Sequence, residues 1–305
     1  MLALTATAEA GHVALTEAPI PEALPSEALV AVRAFSLNRG EVRHLQTMER
    51  GTIIGWDVAG VVEAPAGDGS GPRAGTRVVG MVDAGAWAQQ VAVSTQVLAP
   101  LPEGVSFAQA ATLPVAGMTA LLALEIGGTP IGKRVLVTGA NGGVGRFAIQ
   151  LAALAQSHVT ALVRDPAQTE ALRSLGAHDV VTELEGDFDT IVEGVGGDTL
   201  GQAIQHVAPD GTIVSFASTE AQTTFPTHAL FGRSPGATLH GLLVFPEVRR
   251  SANRGTRLLT TLAGLVSEGK LDCSIDRDAS WREASEHIEA LLDRTVAGKV
   301  VLHVD

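Results

Sequence analysis

One segment limits the possible folds more than any other: Val135-Leu-Val-Thr-Gly-Ala-Asn-Gly-Gly-Val-Gly-Arg-Phe-Ala-Ile-Gln-Leu151. The run 134–138 is short and apolar, as expected of a strand buried on both faces. Glycines at 139, 142 and 145 follow, and residues 144–155 have helical periodicity. Against the pattern G-x-G-x-x-G, the three positions are Ala140, Gly142 and Gly145, with alanine for the first glycine. Gly142 would let the backbone approach a pyrophosphate, and Gly145 would let the helix pack on the strand. The helix N-terminus would offer unpaired N–H groups and partial positive charge. A lone match is weak, but this one follows a strand and opens a helix. Gly139, Ala140, Asn141, Gly142, Gly143, Val144 and Gly145 are therefore the expected dinucleotide cradle. The alternative is a glycine-rich turn with no ligand.

The surroundings repeat that grammar. Strands are expected at 158–163, 179–181, 189–192, 212–216 and 238–244, with a helix at 166–175. Alternating strand and helix means βαβ units and a parallel sheet, here six-stranded over 116–246. The second strand should end in the residue that reads the adenine ribose. It ends in Arg164, nineteen positions after Gly145 (164 − 145). A guanidinium suits a 2′-phosphate, not a 2′-hydroxyl, so the expected cofactor is NADPH. Asp165 comes next, and one residue of register would exchange the two. Phe216, Ala217 and Ser218 follow another strand and should lie at its carboxyl end, where such sheets bind ligands.

The flanks read differently. Strands at 28–37, 57–63, 76–82 and 87–93 are separated in part by Gly/Pro clusters, which suits an antiparallel β domain. After Pro246 come helices near 251–268 and 281–293 and a strand at 299–304. The expected division is 1–115 with 247–305 as one domain around a cleft, and 116–246 as the other. Residues 104–124 carry no charge. They read as two buried helical pieces broken at Pro114 rather than as a membrane span.

Composition removes several chemistries. The 305 residues include no tyrosine, so no mechanism has a phenolic acid or base. The single cysteine, Cys273, forbids an intrachain disulfide and a Cys-rich zinc site. A net charge of −12 argues against a nucleic-acid footprint. No signal-peptide pattern opens the chain, so the expected setting is cytoplasmic, with a small-molecule substrate and neither membrane nor nucleic-acid partner.

Several short motifs, in order, resemble the medium-chain dehydrogenase/reductase superfamily, in its zinc-independent quinone oxidoreductase (zeta-crystallin-like) branch. They are Val32-Arg-Ala-Phe-Ser-Leu-Asn-Arg-Gly-Glu41, Gly55-Trp-Asp-Val-Ala-Gly-Val-Val62, Gly75-Thr-Arg-Val78, Leu113-Pro-Val-Ala-Gly-Met-Thr-Ala120, Gly139-Ala-Asn-Gly-Gly-Val-Gly145, Leu175-Gly-Ala-His178 and Gly298-Lys-Val-Val-Leu302. The resemblance implies an α/β fold: a Rossmann parallel-sheet cofactor domain plus a β-rich GroES-like catalytic domain. Zinc members bind catalytic metal through a Cys near the position of Asn38 and a Gly-His-Glu motif. Here the motif reads Gly55-Trp56-Asp57 and no Cys is near, so no metal is expected.

Without a Lewis acid, the chemistry left is hydride transfer to an acceptor already electrophilic. The resemblance thus implies an NADPH-dependent reductase of quinones or α,β-unsaturated carbonyls. It leaves open an enoyl-thioester reductase and, in another class, an NADPH-binding protein without turnover. A thioester enzyme should show a basic groove, for which Arg39, Arg43, Arg50, Arg249 and Arg250 are candidates; solvated surface is the alternative. Asn38 corresponds to an asparagine near the nicotinamide, expected to donate to the acceptor's carbonyl oxygen. Thr119 matches a nicotinamide contact, or is helix filler. Arg43, His44 and Trp56 would line the substrate pocket, Trp56 packing in the core being the alternative. Leu242, Leu243 and Val244 resemble the strand that pairs across a homodimer, or are an ordinary strand; Leu243 and Val244 are also cofactor candidates. Lys299 reaches the cofactor or simply begins the last strand.

Overall fold

Alternating apolar and polar residues in the first hundred positions build antiparallel strands. The computed structural model describes residues 1–9 and 11–305. Two units emerge, Met1–Met118 with Phe245–Asp305, and Thr119–Val244.

The first unit opens with a hairpin, β1 (Leu2–Ala6) against β2 (Val13–Glu17). Strand β3 (Glu27–Leu37) alternates buried and partly exposed residues before becoming buried at its end. Helix α1 (Arg39–His44) follows, then β4 (Asp57–Ala64), β5 (Arg77–Met81), β6 (Gln90–Ser94) and β7 (Leu98–Pro100). Strand β3 pairs antiparallel with β4 and β6, and β5 with β4 and β7. Phe35 and Trp87, both fully buried, stack at 5.7 Å between ring centroids in the core. Helix α2 (Phe107–Ala111) leads into a π-helical turn, Leu113–Gly117.

The two helical pieces expected here are present, with the interruption two residues before Pro114: α2 ends at Ala111 with Thr112 as its cap, and Pro114 sits in the first positions of the π turn from which α3 (Met118–Ile126) continues directly. A proline lacks the N–H that a helix's first turn leaves unused. No helix among the described residues is long and apolar enough to cross a membrane.

The second unit carries β8 (Arg134–Val137), α4 (Gly143–Leu154), β9 (His158–Leu162), α5 (Thr169–Ser174), β10 (Asp179–Val181), β11 (Phe188–Glu193), α6 (Gly197–Gln205), β12 (Val207–Ser215) and β13 (Thr238–Gly241). The six strands lie all parallel in the order β10-β9-β8-β11-β12-β13. The chain runs outward from β8 in one direction and then from β11 in the other. That reversal opens a crevice at the carboxyl ends of β8 and β11. Leu136, Ile191 and Ile213, fully buried on neighbouring strands, form the core beneath.

The strand expected at 238–244 stops at Gly241. Leu242 still donates its N–H to the Ser215 carbonyl at 2.8 Å. Val244 then starts a short helix, α7 (Val244–Glu247), whose first turn accommodates Pro246.

The chain returns to the first unit with α8 (Arg254–Ser267), β14 (Ile275–Ser280), α9 (Ala284–Leu292) and β15 (Lys299–His303). Strand β15 pairs antiparallel with β3 and parallel with β14. The last strand therefore completes the sheet begun by residues 27–37.

Candidate functional site

In the second unit the glycine loop joins β8 to α4. Gly139 has φ of +58°, which favours glycine. A Cβ on Gly145 would lie 2.5 Å from the Gly139 carbonyl oxygen and 2.7 Å from Ala140 Cα. Gly142 caps α4, and its N–H closes a turn onto the Gly139 carbonyl at 2.9 Å. The helix's first N–H groups have no intrahelical acceptor. The Asn141 Oδ1, within the loop, is buried with no hydrogen-bond partner among the described residues. The free N–H groups fit the phosphates of a dinucleotide, whereas Asn141 Oδ1, an acceptor, suits a donor on the ligand.

Strand β9 lies beside β8, so Arg164 emerges next to the loop, exposed and paired with no side chain among the described residues. Asp165 is committed: its Oδ1 accepts the Ala167 N–H at 2.9 Å and caps the following turn. Arg146 Nε donates to the Asn141 carbonyl at 3.3 Å and its Nη2 to Gln168 Oε1 at 3.4 Å, tying the loop to that turn.

Sequence reasoning missed Glu193, fully buried at the end of β11. Its Oε1 accepts from Thr138 Oγ1 (3.2 Å), Val195 N (2.7 Å) and Gly196 N (2.9 Å), and Oε2 from Ser215 Oγ (3.1 Å). It binds together the carboxyl ends of β8, β11 and β12. Phe216, Ala217 and Ser218 leave β12 there, the last two exposed. Leu243 and Val244 instead follow β13, at the sheet edge, and Leu243 is 60% exposed. Thr119, 4% exposed, is the second residue of α3.

In the first unit, the ends of β3, β4 and β15 meet at a buried ionic cluster. Asp57 Oδ2 accepts from Ser36 Oγ (2.5 Å) and Asn38 Nδ2 (2.7 Å), and its Oδ1 from the Val115 N–H of the π turn (2.8 Å). Glu41 Oε1 accepts from the Asn38 backbone N–H (2.6 Å) and Nδ2 (3.2 Å), and Oε2 from the Trp56 N–H (2.9 Å). Lys299 Nζ donates to the Leu37 carbonyl (2.9 Å) and Asn38 Oδ1 (2.7 Å), and lies 3.6 Å from Asp57 Oδ2. Ser36, Glu41 and Asp57 are fully buried and Lys299 is 3% exposed. Burial, reinforced by the Asp57 charge, holds the Glu41 carboxyl well above the usual carboxylate range. Burial likewise draws the Lys299 ammonium below its ordinary value, against the pull of Asp57 and Glu41.

Two readings gain detail here. Lys299 begins β15, and its ammonium is buried and directed at this cluster. Asn38 has both amide protons engaged, the one on Glu41 only weakly at 3.2 Å. The signal for this cluster was in the sequence: Asp57 and Lys299 are lone charges opening apolar strands, and buried charges require partners.

Trp56 stands over Gly40, where a Cβ would meet its ring at 2.8 Å. It makes edge contacts with His44 (6.0 Å, 82°) and Phe245 (5.1 Å, 74°). Arg43, on the same helix, is half-buried. Among the described residues no three His, Cys, Asp or Glu side chains gather to hold a metal ion. Of the candidate basic groove, Arg249 is paired with Asp83 (2.7 Å) and Arg250 with Glu247 (2.8 Å).

Residues 24–103 match the family described as alcohol dehydrogenase GroES-like domain, and residues 167–302 that described as zinc-binding dehydrogenase. The chain is 28% identical to a chloroplast envelope quinone oxidoreductase homolog of Arabidopsis thaliana, covering 94% of this chain and 92% of that protein. It is 29% identical to the spectinabilin polyketide synthase system protein NorB of Streptomyces orinoci, over 94% of this chain but only 14% of that protein's length. The solved quinone oxidoreductase of Coxiella burnetii superposes with a TM-score of 0.86 at 28% identity, over 100% of this chain and 99% of that one.

Proposed function

Because the chain belongs to the medium-chain dehydrogenase/reductase superfamily, in its quinone oxidoreductase branch, we propose that it is a metal-independent, NADPH-dependent reductase of a quinone or an α,β-unsaturated carbonyl. The Lys299 ammonium carries this reading. It is hydrogen-bonded to Asn38 and 3.6 Å from Asp57, two of the positions where zinc relatives keep their metal or its ligands. An internal cation there leaves no vacancy for a second one. Arg164 beside the glycine loop, with Asp165 committed to a cap, supports a 2′-phosphate.

When bound, the reduced nicotinamide supplies hydride; the chain's residues do the rest. The loop 139–145 would hold the pyrophosphate and Arg164 the 2′-phosphate. Thr119 would contact the nicotinamide. Asn38 would share its weakly held amide proton between Glu41 and the acceptor's oxygen as charge develops there. Trp56, fixed by Phe245 and His44, would line the acceptor's site. With no tyrosine, the final proton comes from His44 or water. The pairing of Arg249 and Arg250 with acids disfavours a phosphate-bearing thioester and favours small acceptors.

The test is NADPH oxidation by chelator-treated protein against a panel of quinones, enones and enoyl thioesters. Turnover on quinones or enones is expected. NADPH binding without turnover would establish a binding protein instead. Activity abolished by chelation and restored by zinc would overturn metal independence.

A further inference from the structure

Every polar group around Asn38 is arranged to fix one orientation of its carboxamide. An ammonium only donates, so it faces Oδ1; a carboxylate accepts, so Asp57 faces Nδ2. Lys299 approaches from a strand 261 positions away in sequence, and its other donor is fixed on the Leu37 carbonyl, one residue before Asn38. We infer that Lys299 is a positioning residue that acts through Asn38, holding the carboxamide in one flip state and polarising it so that Nδ2 becomes a stronger hydrogen-bond donor. This rests on the reading of Asn38 as the donor to the acceptor.

The physical basis is cooperativity within a buried network. A cation on the amide oxygen draws electron density from the nitrogen, and low local dielectric strengthens the effect. The geometry leaves the ammonium no outward role: it is 3% exposed, two bonds are made, and Asp57 stands at 3.6 Å. Its influence on a bound acceptor passes through Asn38. A neutral side chain of similar length would fill the space and leave the amide free to rotate between two carboxyl groups.

The experiment is a double-mutant cycle on turnover, with a spectroscopic readout. Asn38→Ala should lower kcat by about 10²–10³-fold, and Lys299→Met by about 10–100-fold. The double variant should be no slower than Asn38→Ala alone, because residues acting as a unit are non-additive. NADPH affinity should stay unchanged throughout. In ¹⁵N spectra of the cofactor-free protein, the Asn38 NH₂ pair, identified by its loss in Asn38→Ala, should move upfield in Lys299→Met. Multiplicative losses, an unmoved NH₂ pair, or a fall in NADPH affinity matching the loss in kcat would overturn the inference. Wild-type turnover in Lys299→Met beside a crippled Asn38→Ala would overturn it alone; full turnover in Asn38→Ala would overturn the reading of Asn38 as well. If Lys299→Met does not fold because Asp57 is left uncompensated, the neutral pair Lys299→Met/Asp57→Asn carries the same measurements.

Discussion

Two side chains in the second unit differ in what they have left to offer. Asp165 accepts the Ala167 N–H, whereas Arg164 is exposed and, among the described residues, paired with no side chain. One charge-assisted bond is worth ~1.5–3 kcal/mol. Arg164→Ala is therefore expected to cost roughly ten- to a hundred-fold in NADPH affinity while leaving NADH affinity nearly intact, as read by fluorescence titration. Equal binding of both cofactors by the wild type would refute this. Glu41 belongs to a different regime. Burial, with the Asp57 charge, raises its carboxyl above the value in an unfolded chain. The folded state then holds the proton over a window where the unfolded state has lost it. Stability contributed by this group is full below the unfolded carboxyl's pKa and is lost as pH rises through the folded value. Glu41→Gln should flatten that slope in denaturant titrations run across pH, and an unchanged slope would show that Glu41 is ionised throughout. Lys299 is displaced in the opposite direction by burial, so its contribution rises with pH and does not mimic this one.

Among the elements, the β8–loop–α4 unit allows a contrast between two glycines. The Gly145 position has no room: an added methyl meets Gly139 O at 2.5 Å, backbone that cannot yield cheaply. Gly145→Ala should cost about 1–3 kcal/mol of stability through overpacking and lose NADPH as the loop shifts. At Gly142 the nearest atom is 3.3 Å away. Gly142→Ala should largely preserve the melting temperature while weakening cofactor binding, and equal effects from the two variants would contradict the assigned roles. This element was legible in the sequence because its information is local: a short apolar run, glycines at fixed spacing, then helical periodicity. Helix α1 was not, since six residues directly after a long strand give no periodicity to read. Nor was the hairpin of β1 and β2, whose second strand has no buried residue to mark it. The end of β13 was misjudged because Leu242-Leu243-Val244 looks like a strand until Pro246 permits a helical turn. The ionic cluster escaped for another reason. Asn38 and Trp56 were reached by resemblance, but nothing in one dimension pairs Glu41, Asp57 and Lys299, which come from three separate stretches of chain.

For the whole molecule, the parallel sheet has two edge strands, β10 and β13, and the second carries exposed apolar side chains. Strand β13 pairs only with β12 among the described residues, and Leu239 and Leu243 beside that edge are 49% and 60% exposed. Unpaired edges with apolar side chains invite pairing with another chain. A homodimer is expected by light scattering, and Leu239→Lys should shift it toward monomer; a wild-type monomer at micromolar concentration would refute this. The pairing of β15 with β3 has a consequence in time. Lys299 bonds to Leu37 across 262 positions. At ~5–20 residues per second of synthesis, roughly ten to fifty seconds separate the emergence of the two. By the end of that interval the second unit is complete and can fold, while the first has two carboxyl groups waiting for their cation. A ribosome-bound chain halted before residue 299 should therefore protect the inserted unit from protease and leave the surrounding one open, so that the last strand made is the one that seals the first.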